Sequence, residues 1–257
     1  MEYVKYAVRD RVGFITLDRP EKRNALNFEM VSELKAAFTQ AESDATVKVI
    51  VLGATGEAFC AGADLAYLEK LQHFSFEENL ADSRHLRDLF LQIYTLKKVV
   101  IAKVQGHALA GGCGLATVCD FVFAVPEAKF GYTEVKIGFV PAIVMVFLLR
   151  KLGEQKSKQL LLSGELMSGE RALNFGLFNF LTSKELLESS VMEFAQKLVH
   201  NNSIESMEQI KIMIAEVQSF SLEEALDHAA NRNARARATE DFKKGIHAFL
   251  NKIDLLW

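Results

Sequence analysis

The sequence predicts a mixed α/β fold: a body of alternating strands and helices followed by a helical C-terminal third. Short apolar or alternating runs recur up to KFGY, helix-spaced apolar residues follow several of them, and strand signals fade from Gly153 onward. Tyr3, Lys5 and Ala7 alternate with Val4, Tyr6 and Val8, and Asp10 to Gly13 turn into VGFITL, the pattern of a β-hairpin. After DRPEKRNALN, the residues Phe28, Val31, Leu34, Phe38 and Ala41 step by three or four positions, which marks an amphipathic helix. VKVIVLG, Val47 to Gly53, reads as a buried strand, GEAFCAGADL as a glycine-punctuated loop, and Leu65 to Leu96 as a mainly helical, charged segment. VVIAKVQG, DFVFAV and KFGY supply further strands. Helical patterns cover Lys184 to His200 and Leu222 to Phe249, with a short strand expected at Leu177 to Leu181.

Composition limits the function. Half of the 257 residues are hydrophobic, enough for a substantial core. The 30 Lys and Arg against 33 Asp and Glu leave a formal charge of -3, without the basic excess of a dedicated nucleic-acid binder. FVPAIVMVFLL is about half of the ~20 residues a membrane span needs and contains Pro141, so it is expected to be a buried segment. No membrane partner is expected. Cys60, Cys113 and Cys119 are too few and too irregular for a disulfide framework or a metal site, which suits reduced thiols. With no secretory signal visible in MEYVKYAVRD, a cytoplasmic location is expected.

Two glycine-containing loops each follow an apolar strand: AFCAGADL after VKVIVLG, and ALAGGCGL after VVIAKVQG. Each can present a free backbone N–H where the next helix begins. Two such amides converging on one point form an oxyanion hole, and Ala61 and Gly111 are the expected donors. The alternative is that Gly111, Gly112 and Gly114 only let a helix pack tightly on a strand.

AFCAGADL, HALAGGCGLATVCD and AKFGYTEVKIGFVPA, taken in this order, resemble the enoyl-CoA hydratase/isomerase (crotonase) superfamily along nearly the whole chain. The resemblance implies a spiral of strand-strand-helix units, with a catalytic core over residues 1–195 and a helical trimerisation region over residues 196–257. It also implies acyl-CoA substrates, assembly as a homotrimer or dimer of trimers, and no cofactor beyond the coenzyme A carried by the substrate. Common hydratases carry two glutamates. Here Gly114 stands at the first position, whereas Glu134 matches the second and is the expected proton-transfer group. The combination of GCGL with TEVKIGFVPA is similar to bacterial methylglutaconyl-CoA hydratase-like members, which also carry glycine at the first position.

The resemblance further places coenzyme A against the backbone of Ala61, Ala63, Asp64 and Leu65. Ala25, Lys22 and Arg23 lie in the same expected site, the last two as partners for phosphate, and Phe249 and Lys252 match positions that complete it in relatives. Tyr132, Glu77, Glu78, Asp82 and His85 are candidates for a second polar group. PAIVMVFLLRKLGE replaces a glycine run found in many relatives, so Ala142, Ile143, Val144 and Met145 are expected to narrow the acyl pocket. The expected activity is hydration of a short or branched 2-enoyl-CoA. The alternatives are isomerisation of a 3-enoyl-CoA and a non-catalytic acyl-CoA-binding scaffold.

Overall fold

The computed structural model describes residues 1–257. Strands β1 (Val4–Arg9) and β2 (Val12–Leu17) form the expected antiparallel hairpin, with Val4 opposite Leu17 and Arg9 opposite Val12. Asp10 and Arg11 turn it with positive φ. Helix α1 (Phe28–Ser43) begins where the Asn27 side chain accepts the Met30 amide, and it buries Met30, Val31, Leu34, Ala37, Phe38 and Ala41. Strand β3 (Val49–Ala54) follows, then α2 (Leu65–Leu71) and α3 (Phe76–Thr95). Ser75 and Glu78 cap α3 reciprocally, each accepting a backbone amide of the other.

The centre of the chain repeats a strand-strand-helix unit. β4 (Val99–Val104), β5 (Ala108–Leu109) and α4 (Gly111–Thr117) make one, and β6 (Phe121–Ala124), β7 (Lys129–Gly131) and α5 (Ala142–Ser163) make the next. Then come β8 (Met167–Ser168), α6 (Gly169–Phe175), β9 (Phe180–Leu181) and α7 (Leu187–Asn201). Helices α8 (Ile204–Val217), α9 (Leu222–Ala236) and α10 (Glu240–Asn251) end the chain.

First strands of the units join one sheet and second strands another. The first sheet has six strands in the order β1-β2-β3-β4-β6-β9, parallel from β2 onward, and the second runs β5-β7-β8. Parallel pairing brings the loops after β3 and β4 to the same end of the sheet, and the β5–β7 pairing brings the loop after β7 beside them. Strands β3 and β4 are almost wholly buried, as their mainly apolar runs, broken in β4 only by Lys103, require when both faces are covered.

Two expectations are corrected. FVPAIVMVFLL is not uniformly buried: Val144 and Leu148 face inward, but Val140 is 63% exposed and Val146 and Leu149 also face outward. Its apolar run lies partly on an exposed turn and partly on a helix with one inward face. The Leu222 to Phe249 pattern is broken at Arg237 to Thr239, where Thr239 caps α10 by accepting the Phe242 amide. Helix α7 runs across residue 195, with Ala195 and Val199 in the core. No helix is long and apolar enough to cross a membrane.

Candidate active site

The two glycine loops are fastened together by main-chain hydrogen bonds. The Phe59 and Cys60 amides donate to the His107 carbonyl at 3.0 and 3.2 Å, and the Leu109 amide donates to the Cys60 carbonyl at 3.0 Å. Such close crossing explains part of the glycine cluster. A Cβ on Gly106 would lie 1.7 Å from the Glu57 carbonyl oxygen, and one on Gly112 would lie 2.2 Å from that of Cys60. Neither loop could approach the other with a side chain there. Gly111 differs: its nearest neighbour would be Leu26 Cδ1, at 3.7 Å. Gly112 is therefore a packing glycine, while a Cβ on Gly111 would meet only ordinary van der Waals contacts.

The amides decide which residues can receive a substrate oxygen. Ala61 does not serve, because its N–H donates to the Arg23 carbonyl at 3.0 Å. Two residues on, Ala63 forms a parallel bridge with Leu26. The bridge uses the Gly62 carbonyl, which accepts the Leu26 amide at 2.7 Å, and the Asp64 amide, which donates to the Leu26 carbonyl at 2.8 Å. In such a bridge the central residue's own N–H points away from the partner strand, and that of Ala63 has no protein acceptor. The Gly111 amide, first in α4, is likewise unpartnered. Gly62 packs directly on it: a Cβ at Gly62 would be 3.4 Å from the Gly111 nitrogen. The pair of free donors is thus Ala63 and Gly111, with Ala61 serving to anchor the loop.

Ala110 sets the direction of that helix start. Its φ of 51° and ψ of -128° are strained for a residue with a Cβ. Its amide donates to the Gly131 carbonyl at 2.8 Å and its carbonyl accepts from Gly114 at 3.1 Å, which hold it there.

Glu134 opens a short 3-10 turn, Glu134–Ile137, three residues beyond β7, and Gly138 closes the turn with a φ of 74°. The side chain is 7% exposed, and its Oε2 is buried without a hydrogen-bond partner. Burial pushes its pKa above the usual glutamate range. Two residues earlier, the Tyr132 hydroxyl pairs with Thr117 of α4 at 3.1 Å, which brings this stretch of chain beside that helix; the Glu134 charge also adds, after burial, to the raised pKa values of Cys113 and Tyr132.

Gly114 marks the opposite situation. A Cβ there would lie 2.3 Å from Val144 Cγ1, 2.8 Å from Val144 Cβ and 3.2 Å from Phe90 Cε1. The space a side chain at this position would take is filled by α5 and α3. No second carboxylate can enter from residue 114.

The remaining candidates separate into free and committed groups. Lys22 and Arg23 are exposed and make no ion pair. Leu65 is 76% exposed at the start of α2, and Ala25 is buried with its carbonyl accepting from Arg19. Asp64 is committed: its carboxylate caps α2 through the Ala66 amide and pairs with Arg19 at 2.7 Å. Burial raises its pKa, but Arg19 and the Ala66 amide outweigh that and hold it below the usual range. Tyr132 is buried with its hydroxyl on Thr117, Asp82 pairs with Tyr67, Glu78 caps α3, and His85 stacks on Phe28 beside Ser32. None of these supplies a free second acid. The cysteine thiols are all buried and pushed up to about 12, as core residues should be.

Phe249 and Lys252 do not join the site of their own chain. Trp257, which follows α10, donates to the His200 carbonyl and accepts from Arg11 in the β1–β2 turn, while Lys244 of α10 lies over its ring. That turn is at the start of β2 and β3, whereas the glycine loops follow the ends of β3 and β4. The length of a six-residue strand, about 20 Å, lies between. Residues not singled out by sequence also matter. Asn24, fully buried, donates to the Thr55 and Ala58 carbonyls and accepts from the Arg19 amide, fixing RPEKRNAL onto the first glycine loop. Its positive φ of 54° is one that asparagine tolerates better than most residues, the only local signal for it.

Residues 8–257 match the family model described as enoyl-CoA hydratase/isomerase. A relative from Thermus thermophilus is 41% identical over 244 residues, which cover 95% of this chain and 96% of that protein. The crotonyl-CoA hydratase of Syntrophomonas wolfei is 31% identical over 245 residues, covering 95% of this chain and 93% of that one. Among solved structures, an enoyl-CoA hydratase from Mycobacterium smegmatis superposes with a TM-score of 0.93 at 29% identity, over 99% of this chain and 98% of the other. The crossing loops, the spiral of strand-strand-helix units and these similarities lead to one assignment: the chain belongs to the enoyl-CoA hydratase/isomerase (crotonase) family.

Proposed function

We propose that the protein reversibly adds water to a short or branched 2-enoyl-CoA. The observation that carries this reading is the pair of unpartnered Ala63 and Gly111 amides on loops tied to each other, with the unpaired Oε2 of Glu134 buried beside the same helix. The two amides donate to the thioester oxygen, and they stabilise it most as negative charge develops there. Ionised Glu134 takes a proton from water as the water oxygen bonds to Cβ. The electron pair of the double bond moves into the enolate, and the protonated Glu134 then delivers a proton to Cα. Atoms and charge balance, and the product is a 3-hydroxyacyl-CoA. The single carboxylate and the GCGL and TEVKIGFVPA motifs favour a methylglutaconyl-CoA type of substrate within this class.

Lys22 and Arg23 are free to meet the phosphates of coenzyme A as charge-assisted donors, and the backbone from Ala61 to Leu65 to lie along its pantetheine arm. Phe249 and Lys252 would reach it only from a neighbouring subunit, and the exposed Leu222, Leu226, Phe249 and Leu250 give the C-terminal helices an apolar surface for such assembly. A homotrimer or a dimer of trimers follows from this reading, and sedimentation of the purified protein tests it.

The catalytic test follows the ultraviolet absorbance of the conjugated thioester with crotonyl-CoA and 3-methylglutaconyl-CoA, with product masses determined. Loss of conjugation with the gain of one water, abolished in Glu134→Gln, supports hydration. A second reading, isomerisation of a 3-enoyl-CoA to a 2-enoyl-CoA, is favoured by the filled space at Gly114, since one carboxylate suffices to remove and return a proton. Gain of conjugation at unchanged mass would select it.

A further inference from the structure

The apolar space over Gly114 has a second side. Val144 is 5% exposed and belongs to the face of α5 that meets α4. Its neighbours on the same helix, Ile143 and Phe147, line an open groove of about 610 Å³ between α3, α5 and α8, together with Leu91, Tyr94 and Ile212. The Phe90 ring, which meets the same space over Gly114, lies against Phe147 with ring centroids 6.0 Å apart. Between the helix that begins with the Gly111 amide and this groove there is therefore a wall about one side chain thick, made of Val144 and Phe90. Of the four residues in the Ala142 to Met145 stretch, only Val144 is buried, and Ala142 and Ile143 face the groove instead.

We infer that Val144 is the specificity-determining residue for acyl-chain length: with Phe90 it closes the acyl site off from the α3–α5–α8 groove and confines the substrate to short or branched acyl groups. The inference rests on the proposed acyl-CoA site and concerns where the acyl chain ends. The groove is lined mainly by apolar side chains, so it suits the methylene tail of a straight-chain acyl group once the wall is lowered. Val144→Ala removes the atom that stands 2.3 Å from the position of a Gly114 Cβ and leaves the α5 backbone intact. Phe90→Leu lowers the wall from α3 without touching α5.

The test compares wild type, Val144→Ala and Phe90→Leu on straight-chain 2-enoyl-CoA substrates of four to ten carbons, and measures binding of saturated butyryl-CoA and decanoyl-CoA by calorimetry. Wild type is expected to favour the shortest chain. Each variant is expected to raise the ten-carbon to four-carbon 2-enoyl-CoA ratio of kcat/KM, and the decanoyl-CoA to butyryl-CoA ratio of affinity, by at least about tenfold, the scale on which hydrophobic pockets discriminate small differences in size. The Phe90 variant keeps the test decisive should the Val144 variant fail to fold. Equal use of long and short chains by wild type, or an unchanged ratio in every folded variant, overturns the inference. If no enoyl-CoA is turned over but the binding ratio shifts as expected, the hydration reading fails and the role of Val144 stands.

Discussion

On one flank of α4, the turn after β7 brings Glu134 in with a buried oxygen that nothing pairs; on the other, α5 and α3 press Val144 and Phe90 onto Gly114. Both flanks are buried, yet one keeps an unsatisfied polar group and the other keeps none. An unpaired carboxylate oxygen in the interior costs stability, so its retention is what a group reserved for chemistry looks like. The close packing at Gly114 is what a structural position looks like. The contrast teaches that residue 114 is a position closed by neighbouring side chains, which under the proposed reading leaves proton transfer to Glu134.

The largest expected effect breaks the comparison on the Glu134 side. Glu134→Gln should lower kcat by about 10²–10⁴, the usual worth of a positioned acid or base. Its thermal midpoint at neutral pH should be no lower than that of wild type, because the amide removes a buried charge without changing shape. A variant that lost stability together with activity would show Glu134 to be a structural residue after all.

Next in size is Gly112→Ala, between the flanks. Its Cβ would meet a backbone carbonyl at 2.2 Å, which cannot swing aside, so a loss of at least about 2 kcal/mol is expected. By contrast, Gly111→Ala meets only ordinary contacts at 3.7 and 4.0 Å and should stay within about 1 kcal/mol of wild type. Chemical denaturation of the two variants separates the packing glycine from the one with room for a methyl group. On the far flank, Gly114→Ala should cost about 1–3 kcal/mol by overpacking against Val144. Val144→Ala in the same chain should recover part of it, as contacting residues couple. Purely additive effects would mean that the two residues do not share the space.

Much of this arrangement was legible in the sequence, and the failures share a cause. The hairpin, α1 and the strands β3, β4, β6 and β7 follow from local periodicity, and each is found where expected. The choice between Ala61 and Ala63 depended on which peptide N–H points out of a bridge. That parity is set by Leu26, in a different segment, and by Arg23 capturing the Ala61 amide. Likewise, the occupant of the space over Gly114 comes from α5 and α3, and no spacing within GGCGL announces it. Phe249 and Lys252 match by motif, but the fold carries α10 to the other end of the sheet, which sequence position cannot reveal. Periodicity reports which face of an element is buried; it does not report which remote residue meets it.

The smallest and sharpest expected effect is in pH dependence, where the Glu134 flank should act on activity and stability in opposite directions. Burial raises the folded-state pKa of Glu134 above its unfolded value, so between the two the folded protein holds the proton more tightly than the unfolded chain. Its contribution to stability is therefore full below the unfolded pKa, about 4.3, and falls as pH rises through the raised folded pKa. Hydration needs the ionised form to accept a proton from water, so kcat/KM should instead fall as pH drops through that same raised pKa. Wild type should show an acidic limb displaced above the ordinary glutamate value, while its stability declines with pH by at most about 1.4 kcal/mol per unit from this one group. Subtracting the stability profile of Glu134→Gln isolates the term. A wild-type limb at or below the ordinary value, or identical stability profiles for the two proteins, would mean that solvent reaches the carboxylate, and the two flanks of α4 would then differ in shape alone.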